Sequence, residues 1–288
     1  MTLVGTGEIV VPALSGGRGV GAFNVIQLEH AQAIVAGAEA AGAPVVLQLS
    51  QNAVRYHGGL APIGAATLAV ARAAAVPVAV HLDHATERPL VAEALGLGFG
   101  SVMFDASALP YEENVRATAE VARLCHGAGV WLEAELGEVG GKDGVHAPGA
   151  RTDPAQAAEF VGRTGVDALA VAVGTSHAML TRTAALDLDL IAALRAAVPV
   201  PLVLHGSSGV PEPVLAAAVA RGMTKVNIAT HLNKAFTEAV RRSLAADPAL
   251  VDTRRYLGEG RAAVAREVAR LLAVLTAPHP ADRSAVGP

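Results

Sequence analysis

The stretch VAVHLDHAT, residues 78–86, starts as a buried strand and ends on two imidazoles and a carboxylate. Val78, Ala79, Val80 and Leu82 suit a strand covered on both faces. His81, Asp83 and His84 do not, because desolvating such groups is costly unless they are paired, hydrogen-bonded or bound to a metal. One architecture places polar groups at the carboxyl end of an otherwise apolar strand. In a (β/α)8 barrel the parallel strands are buried along their length, and the acting residues gather where the strands end.

That architecture needs seven more such strands, and the chain has them. Short apolar runs bounded by turn residues recur at 19–25 (GVGAFNV), 44–50 (PVVLQLS), 101–105 (SVMFD), 130–136 (VWLEAEL), 168–173 (ALAVAV), 201–206 (PLVLHG) and 225–230 (KVNIAT). Ala-rich segments with helical spacing separate them, and several close on Gly, a helix stop signal. Strands alternating with helices imply a parallel sheet covered by helices. For a chain of 288 residues this predicts an α/β fold, a (β/α)8 TIM barrel. A doubly wound open sheet is the alternative, but no GxGxxG follows the first strand to support a dinucleotide-binding version. RRYLGEGRAAVAREVARLLAVL reads as an additional C-terminal helix, and APHPADRSAVGP as a frayed tail. The expected organisation is one barrel domain over 1–276 and a flexible tail over 277–288.

Composition removes several function classes. The formal net charge is −4, so no basic field points to nucleic acid or an anionic membrane. Apolar stretches are broken before about 18 residues, so no membrane span is expected, and the N-terminus lacks the pattern of a signal peptide. The single cysteine, Cys125, excludes an internal disulfide and fits a reducing, cytoplasmic setting. It sits mid-pattern in a helical segment and reads as an inert core or interface thiol.

The strand ends carry the chemistry. They offer Asn24, Ser50, Asp83 with His84, Asp105, Glu133 with Glu135, His177, His205, and Asn227 with Thr230. Three histidines, His84, His177 and His205, thus fall at the ends of strands 3, 6 and 7. Three imidazoles with an open fourth position form the ligand set of a catalytic zinc. The bland alternative is that each is hydrogen-bonded independently; their shared structural position favours the metal. His81, inside its strand, reads as a core or supporting residue. HGSSG after strand 7 and NIAT after strand 8 set hydroxyls and backbone N–H groups side by side, where barrels often bind phosphate. GEVGGKDG, 137–144, reads as a mobile lid or a surface turn.

These residues resemble the class II, metal-dependent ketose-bisphosphate aldolases, most closely the tagatose-bisphosphate/fructose-bisphosphate branch. AFNV, HLDHA, SVMFDAS, LEAELGEVGG, AVAVGTSH, VLHGSSGVP, KVNIATHLNKAF and DTRRYLGEG follow in the family's order from residue 22 to about 260. The resemblance implies that His84, His177 and His205 hold Zn2+ and that Asp83 handles the C4 hydroxyl proton. Gly206, Ser207, Ser208, Asn227, Ala229 and Thr230 would bind the dihydroxyacetone phosphate half, with Lys225 as an anion contact. Asn227 would also steady the enediolate. Ser50 and Ala178 fall at substrate-contact positions, and Arg254 would reach the second phosphate, from a neighbouring subunit in a homodimer or homotetramer. Asp105 and Glu135 match acidic residues that orient the metal ligands or hold an alternative metal position. A monovalent cation, Na+ or K+, near the phosphate also follows from the family.

The implied reaction is reversible cleavage of fructose or tagatose 1,6-bisphosphate to dihydroxyacetone phosphate and glyceraldehyde 3-phosphate through a metal-stabilised enediolate. The residue types agree: a divalent ion spreads the carbanion's charge as a Lewis acid, and Asp83 beside it stays ionised. The Schiff-base route lacks its nucleophile, since Lys142, Lys225 and Lys234 are the only lysines and none falls on the first seven strands. The sequence departs from the family at several positions. Ala178 stands where Gly is usual, Ala85 where many members carry another His, and Gln27 where Asn is frequent. The lid has Asp143 where the family's glutamate supplies the C3 proton. Ala229, where many fructose-bisphosphate members carry Asp, looks more like the tagatose-type branch. Two other functions are weighed against this one, a zinc-dependent barrel hydrolase and a non-catalytic supporting subunit. The paired phosphate-like motifs argue against the first, and the intact ligand set with Asp83 against the second.

Overall fold

All eight expected strands form, as β1 (Val20–Asn24), β2 (Val45–Ser50), β3 (Val78–Ala85), β4 (Ser101–Phe104), β5 (Trp131–Leu136), β6 (Ala168–Val171), β7 (Leu202–Leu204) and β8 (Met223–Ile228). Each pairs in parallel with the next, and β1 pairs with β8 to close the barrel. The computed structural model describes residues 2–137, 151–175 and 184–277. Helix α1 (Thr6–Ser15) precedes β1, and α2 (Leu28–Ala41) follows it. Then α3 (Gln51–His57) and α4 (Leu60–Ala73) follow β2, α5 (Arg88–Leu97) follows β3, and α6 (Tyr111–Gly127) follows β4. In turn α7 (Pro154–Thr164), α8 (Leu188–Ala197) and α9 (Glu212–Ala220) follow β5, β6 and β7, and α10 (Thr230–Ala246) and α11 (Thr253–Thr276) follow β8.

The outer faces of the strands supply the apolar layer under the helices: Phe23, Leu47, Leu49, Leu82, Leu132 and Leu169 are all fully buried there. The inner faces differ between the two ends. At the amino-terminal end Val20, Ala22, Val46 and Ala79 pack against Ile9 and Val10 of α1. Helix α1 therefore stoppers the bottom of the barrel. The sequence did not announce it, because Pro12 lies inside it and Gly5 and Gly16 flank it, and all three read as breakers. Higher up, the inward positions turn polar. Period-two alternation puts His81 with Asp83, Glu133 with Glu135, and Lys225 with Asn227 on the inner face.

Two boundaries differ from the apolar runs in ways that matter. Strand β8 ends at Ile228, so Ala229 lies in the turn and Thr230 begins α10. Strand β3 runs on to Ala85, but its pairing with β4 skips a residue between Leu82 and Ala85. Within that bulge His84 has φ = 51°, the left-handed region, and it is the one non-glycine residue with positive φ among the described residues. Such a backbone is uncommon for a residue with a Cβ. Bulges beside active sites re-aim a side chain, and this one turns His84 toward the barrel mouth.

The expected terminal helix is α11, which lies across α2 and α10 and buries Val264, Val268, Leu271, Leu272 and Leu275. The close approach to α2 requires Gly37, where an added Cβ would stand 2.5 Å from the Ala265 carbonyl oxygen. Cys125 is buried on α6, and burial pushes its thiol up to about 11, as suits an inert core residue. The tail expected at 277–288 lies outside the described residues except for Ala277.

Candidate active site

The carboxyl end of the barrel opens into a cavity of about 440 Å³. Asn24, Gln48, Ser50, Asp83, His84, Asp105, His205, Gly206, Ser208, Asn227, Ala229 and Thr230 line it, with Gln51, Asn52, Arg55 and Thr86 on the β2–β3 side. Most residues expected from the strand ends thus share one chamber. Ser207 sits behind the wall, its hydroxyl donating to the Asn227 carbonyl. Lys225, expected as an anion contact, is buried beneath the floor and is not among the lining residues. Arg254 is exposed at the start of α11, where it pairs with Asp252 and does not line the cavity of its own chain. Asp143, His177 and Ala178 lie outside the described residues.

The two described histidines meet at the centre. His84 Nε2 lies 3.0 Å from His205 Nδ1. Each ring's other nitrogen faces a carboxylate: His84 Nδ1 stands 2.9 Å from Asp105 Oδ2, and His205 Nε2 stands 3.0 Å from Glu133 Oε1. An ionised carboxylate only accepts, so His84 carries its ring proton on Nδ1; His205 Nδ1 also faces Glu135 Oε2 at 3.5 Å, and the shorter contact to Glu133 places the His205 proton on Nε2. The facing nitrogens then present lone pairs to each other. That is repulsive alone and favourable around a cation. Their separation is close to the roughly 3.3 Å expected between two nitrogens on one tetrahedral ion with bonds of about 2.0–2.1 Å. Asp83, His84 and His205 each bring a ligand atom within 4.8 Å of the others, and His84, Asp105 and Glu135 do the same. The donor set therefore fits a divalent metal, with the carboxylate–histidine pairs that orient such ligands already formed.

Asp83 is buried beside them, with Oδ2 accepting from Asn24 Nδ2 at 3.1 Å. Gln48 Nε2 in turn donates to Asn24 Oδ1 at 2.7 Å, which fixes the Asn24 amide. Register explains this chain, since Asn24 pairs with Gln48 on the adjacent strand, and Ser50 with Asp83. Burial alone would raise the Asp83 carboxyl, but His84, His205, Lys225 and the Asn24 hydrogen bond hold it below its ordinary value. Its Oδ1 has no hydrogen-bond partner among the described residues, so one buried oxygen is available to take a proton.

Below lies a second network that sequence reasoning saw only in part. Lys225 Nζ pairs with Glu133 Oε2 at 2.8 Å and donates to Asn227 Oδ1 at 2.9 Å. Glu133 thereby joins Lys225 to His205 inside the barrel. The Asn227 amide nitrogen also lies 3.0 Å from His205 Nε2, a contact that is a donated hydrogen bond only in the other His205 tautomer. His81, fully buried, bonds Ser101 Oγ at 2.6 Å, and Ser101 bonds Thr6 of α1 at the same distance. Burial, then Lys225, hold His81 well below its ordinary value, so it is a neutral core residue. Asn24 and Glu133 stand among the strand-end residues of the sequence without an assigned role, and Gln48 is not among them. The available signal was their spacing: Gln48 stands two before Ser50, and Glu133 two before Glu135.

On the other wall, Gly206 sits at φ = 66° and turns the chain into the Ser207–Gly209 turn. Ser208 Oγ accepts from the backbone N–H groups of Ala229 and His231, each at 3.3 Å. These amides begin α10, whose end is positive. A hydroxyl at the head of a 17-residue helix marks where an anion would bind.

A closed (β/α)8 barrel with a histidine–carboxylate metal cradle and a helix-headed anion site at one mouth defines a metal-dependent barrel enzyme. Comparison narrows this. The sequence matches the family described as "Fructose-bisphosphate aldolase class-II" over residues 4–279, and the chain belongs to that family. A fructose-bisphosphate aldolase of Geobacillus stearothermophilus is 41% identical over 268 residues, 92% of this chain and 93% of the relative. The crystal structure of the YdjI aldolase of Escherichia coli K12 superposes with a TM-score of 0.84 at 32% identity, covering 96% and 98% of the two chains. The chain is thus a class II aldolase, a metal-dependent lyase family that acts on phosphorylated sugars. No described helix is long and apolar enough to cross a membrane.

Proposed function

We propose that this chain reversibly cleaves a ketose 1,6-bisphosphate, fructose or tagatose 1,6-bisphosphate, to dihydroxyacetone phosphate and glyceraldehyde 3-phosphate, with Zn2+ as its metal. The observation that carries the reading is the His84–His205 pair, whose ring nitrogens converge at 3.0 Å beside the buried Asp83. His84, His205 and, from its place in the sequence, His177 would hold the ion. When bound, it supplies Lewis-acid stabilisation of charge on the oxygen next to the carbanion.

The protein's own groups do the rest. The C1 phosphate sits at Gly206, Ser208, Ala229 and Thr230, where the head of α10 and the Ser208 hydroxyl receive it, and a monovalent cation beside it is part of the proposal. Asp83 takes the C4 hydroxyl proton through Oδ1 while Asn24 holds Oδ2. As that proton leaves, C3–C4 breaks, the aldehyde departs, and the electron pair stays on the C1–C3 fragment as an enediolate. Asn227, steadied through Oδ1 by Lys225, directs its amide N–H toward that charge. Asp143 is assigned the C3 protonation step.

Within this reading residues 1–276 form the catalytic unit, Arg254 completes the second phosphate site from a neighbouring subunit of a homodimer or homotetramer, and the enzyme works in the cytoplasm. The test is triose-phosphate release from fructose and tagatose 1,6-bisphosphates, with zinc counted per chain. One zinc per chain with chelator-sensitive release supports the proposal. Zinc without release of triose phosphate refutes it and favours a metal-dependent hydrolase; neither zinc nor release favours a supporting subunit.

A further inference from the structure

Among the described residues that line the cavity, Arg55 is the one arginine or lysine. It stands on α3, the first helix after β2, on the side of the chamber away from Gly206 and Ser208. Its Nη1 is 3.4 Å from Asn52 Oδ1, and its Nη2 is 3.6 Å from Glu87 Oε1. Glu87 is itself steadied, since its Oε1 accepts from Gln51 Nε2 at 3.2 Å. Gln51 is tied to the chamber wall, its Oε1 accepting from the Thr86 backbone N–H at 2.8 Å. A guanidinium is thus parked at the β2–β3 rim by a carboxylate held in place from below.

The parking is weak. Both side chains of the pair are more than half exposed, at 64% and 61%. Ion pairs in that setting are worth little and are readily exchanged. A dianion arriving at the rim offers Arg55 a stronger, two-pronged partner. Glu87 then competes with the dianion for the same guanidinium.

We propose that Arg55 is a distal-anion residue, binding the phosphate at the far end of the substrate, and that Glu87 is the positioning residue that tempers it. This rests on the aldolase reading, because a substrate anchored by one phosphate at Gly206 and Ser208 must extend its other end past Asp83. The rim then sets the preference for a bisphosphate over a ketose that carries phosphate at C1 alone.

The test compares fructose 1,6-bisphosphate with fructose 1-phosphate, by calorimetric binding and by cleavage kinetics, in wild type, Arg55→Met, Glu87→Gln and the double variant. Arg55→Met should lower the bisphosphate-to-monophosphate preference about tenfold or more, mostly through KM and the binding constant. Glu87→Gln should raise that preference about two- to fivefold by freeing the guanidinium, an effect that vanishes in the Arg55→Met background. A preference that Arg55→Met leaves intact, while the wild type cleaves both sugars, overturns the rim proposal and spares the reaction. A binding preference that follows Arg55 in a protein that cleaves neither sugar overturns the reaction and upholds the rim.

Discussion

The buried Glu133–Lys225 pair makes the most demanding prediction. The two ions are 2.8 Å apart, and both residues are at most 3% exposed. At an effective dielectric constant of about 20 their attraction is ~6 kcal/mol, most of it offset by the cost of taking both ions out of water. Removing one partner leaves that cost without its compensation. Lys225→Met and Glu133→Gln should each lower stability by about 3 kcal/mol or more. The double variant should cost about 3–4 kcal/mol, well short of the sum, which gives a coupling of roughly 2–3 kcal/mol. The assay is urea unfolding of all four proteins with excess chelator present, so that metal binding does not mask the difference. Glu133→Gln should also weaken metal affinity about 10–100-fold, because Glu133 orients His205, whereas Lys225→Met should weaken it less. Additive costs, or equal metal affinities across the four proteins, would refute the reasoning.

Three further outcomes are expected. Asp83→Asn should lower kcat by about 10²–10⁴-fold while zinc still binds in a one-to-one titration; loss of the metal instead would make Asp83 a ligand rather than the base. Gly37→Ala should cost about 1–3 kcal/mol in thermal or urea unfolding, because the new methyl meets the Ala265 carbonyl and Val268 where α11 docks, and an unchanged melting temperature would contradict that packing. Glu267 joins His231 of α10 and Arg270 of α11, and Arg270 also reaches Glu212 of α9. Burial opposes ionisation there, but His231 and Arg270 hold the Glu267 carboxyl down at about 2. Its folded pKa lies below its unfolded value, so its contribution is present above about pH 4.5 and is lost as pH falls toward 2. Glu267→Gln should destabilise by at most about 3 kcal/mol at neutral pH, and unfolding curves of variant and wild type should converge through that window.

The barrel was legible because parallel strands buried on both faces read as apolar runs whatever their tertiary setting. The site was legible only where polarity interrupts a run near its end, as at Asp83, His84 and His205. Residues whose importance comes from pairing across strands were harder to see. Gln48 looks like an ordinary strand residue until register sets it opposite Asn24, and Glu133 looks like a neighbour of Glu135 until the barrel closes and brings Lys225 of β8 against it. Lys225 shows the limit most clearly: its chain position suggested an anion contact, and closure makes its partner a buried carboxylate. Arg55 carried no signal at all, because a cation on the exposed face of a short helix is ordinary until the cavity wall is known.

A closed cylinder of strands has no free edge from which to unravel, so its weak points are the places where pairing slips. This barrel has two, between Leu82 and Ala85 on the β3–β4 seam and between Leu202 and Val203 on the β7–β8 seam. His84 sits within the first, and His205 directly follows the strand that carries the second. An ion shared by those two histidines therefore rivets both loose seams across the mouth. Amide exchange along β3 and β7 should slow on metal loading more than along β5, whose two seams pair without a slip. The atom that manages charge during the reaction would then also govern how readily the cylinder opens.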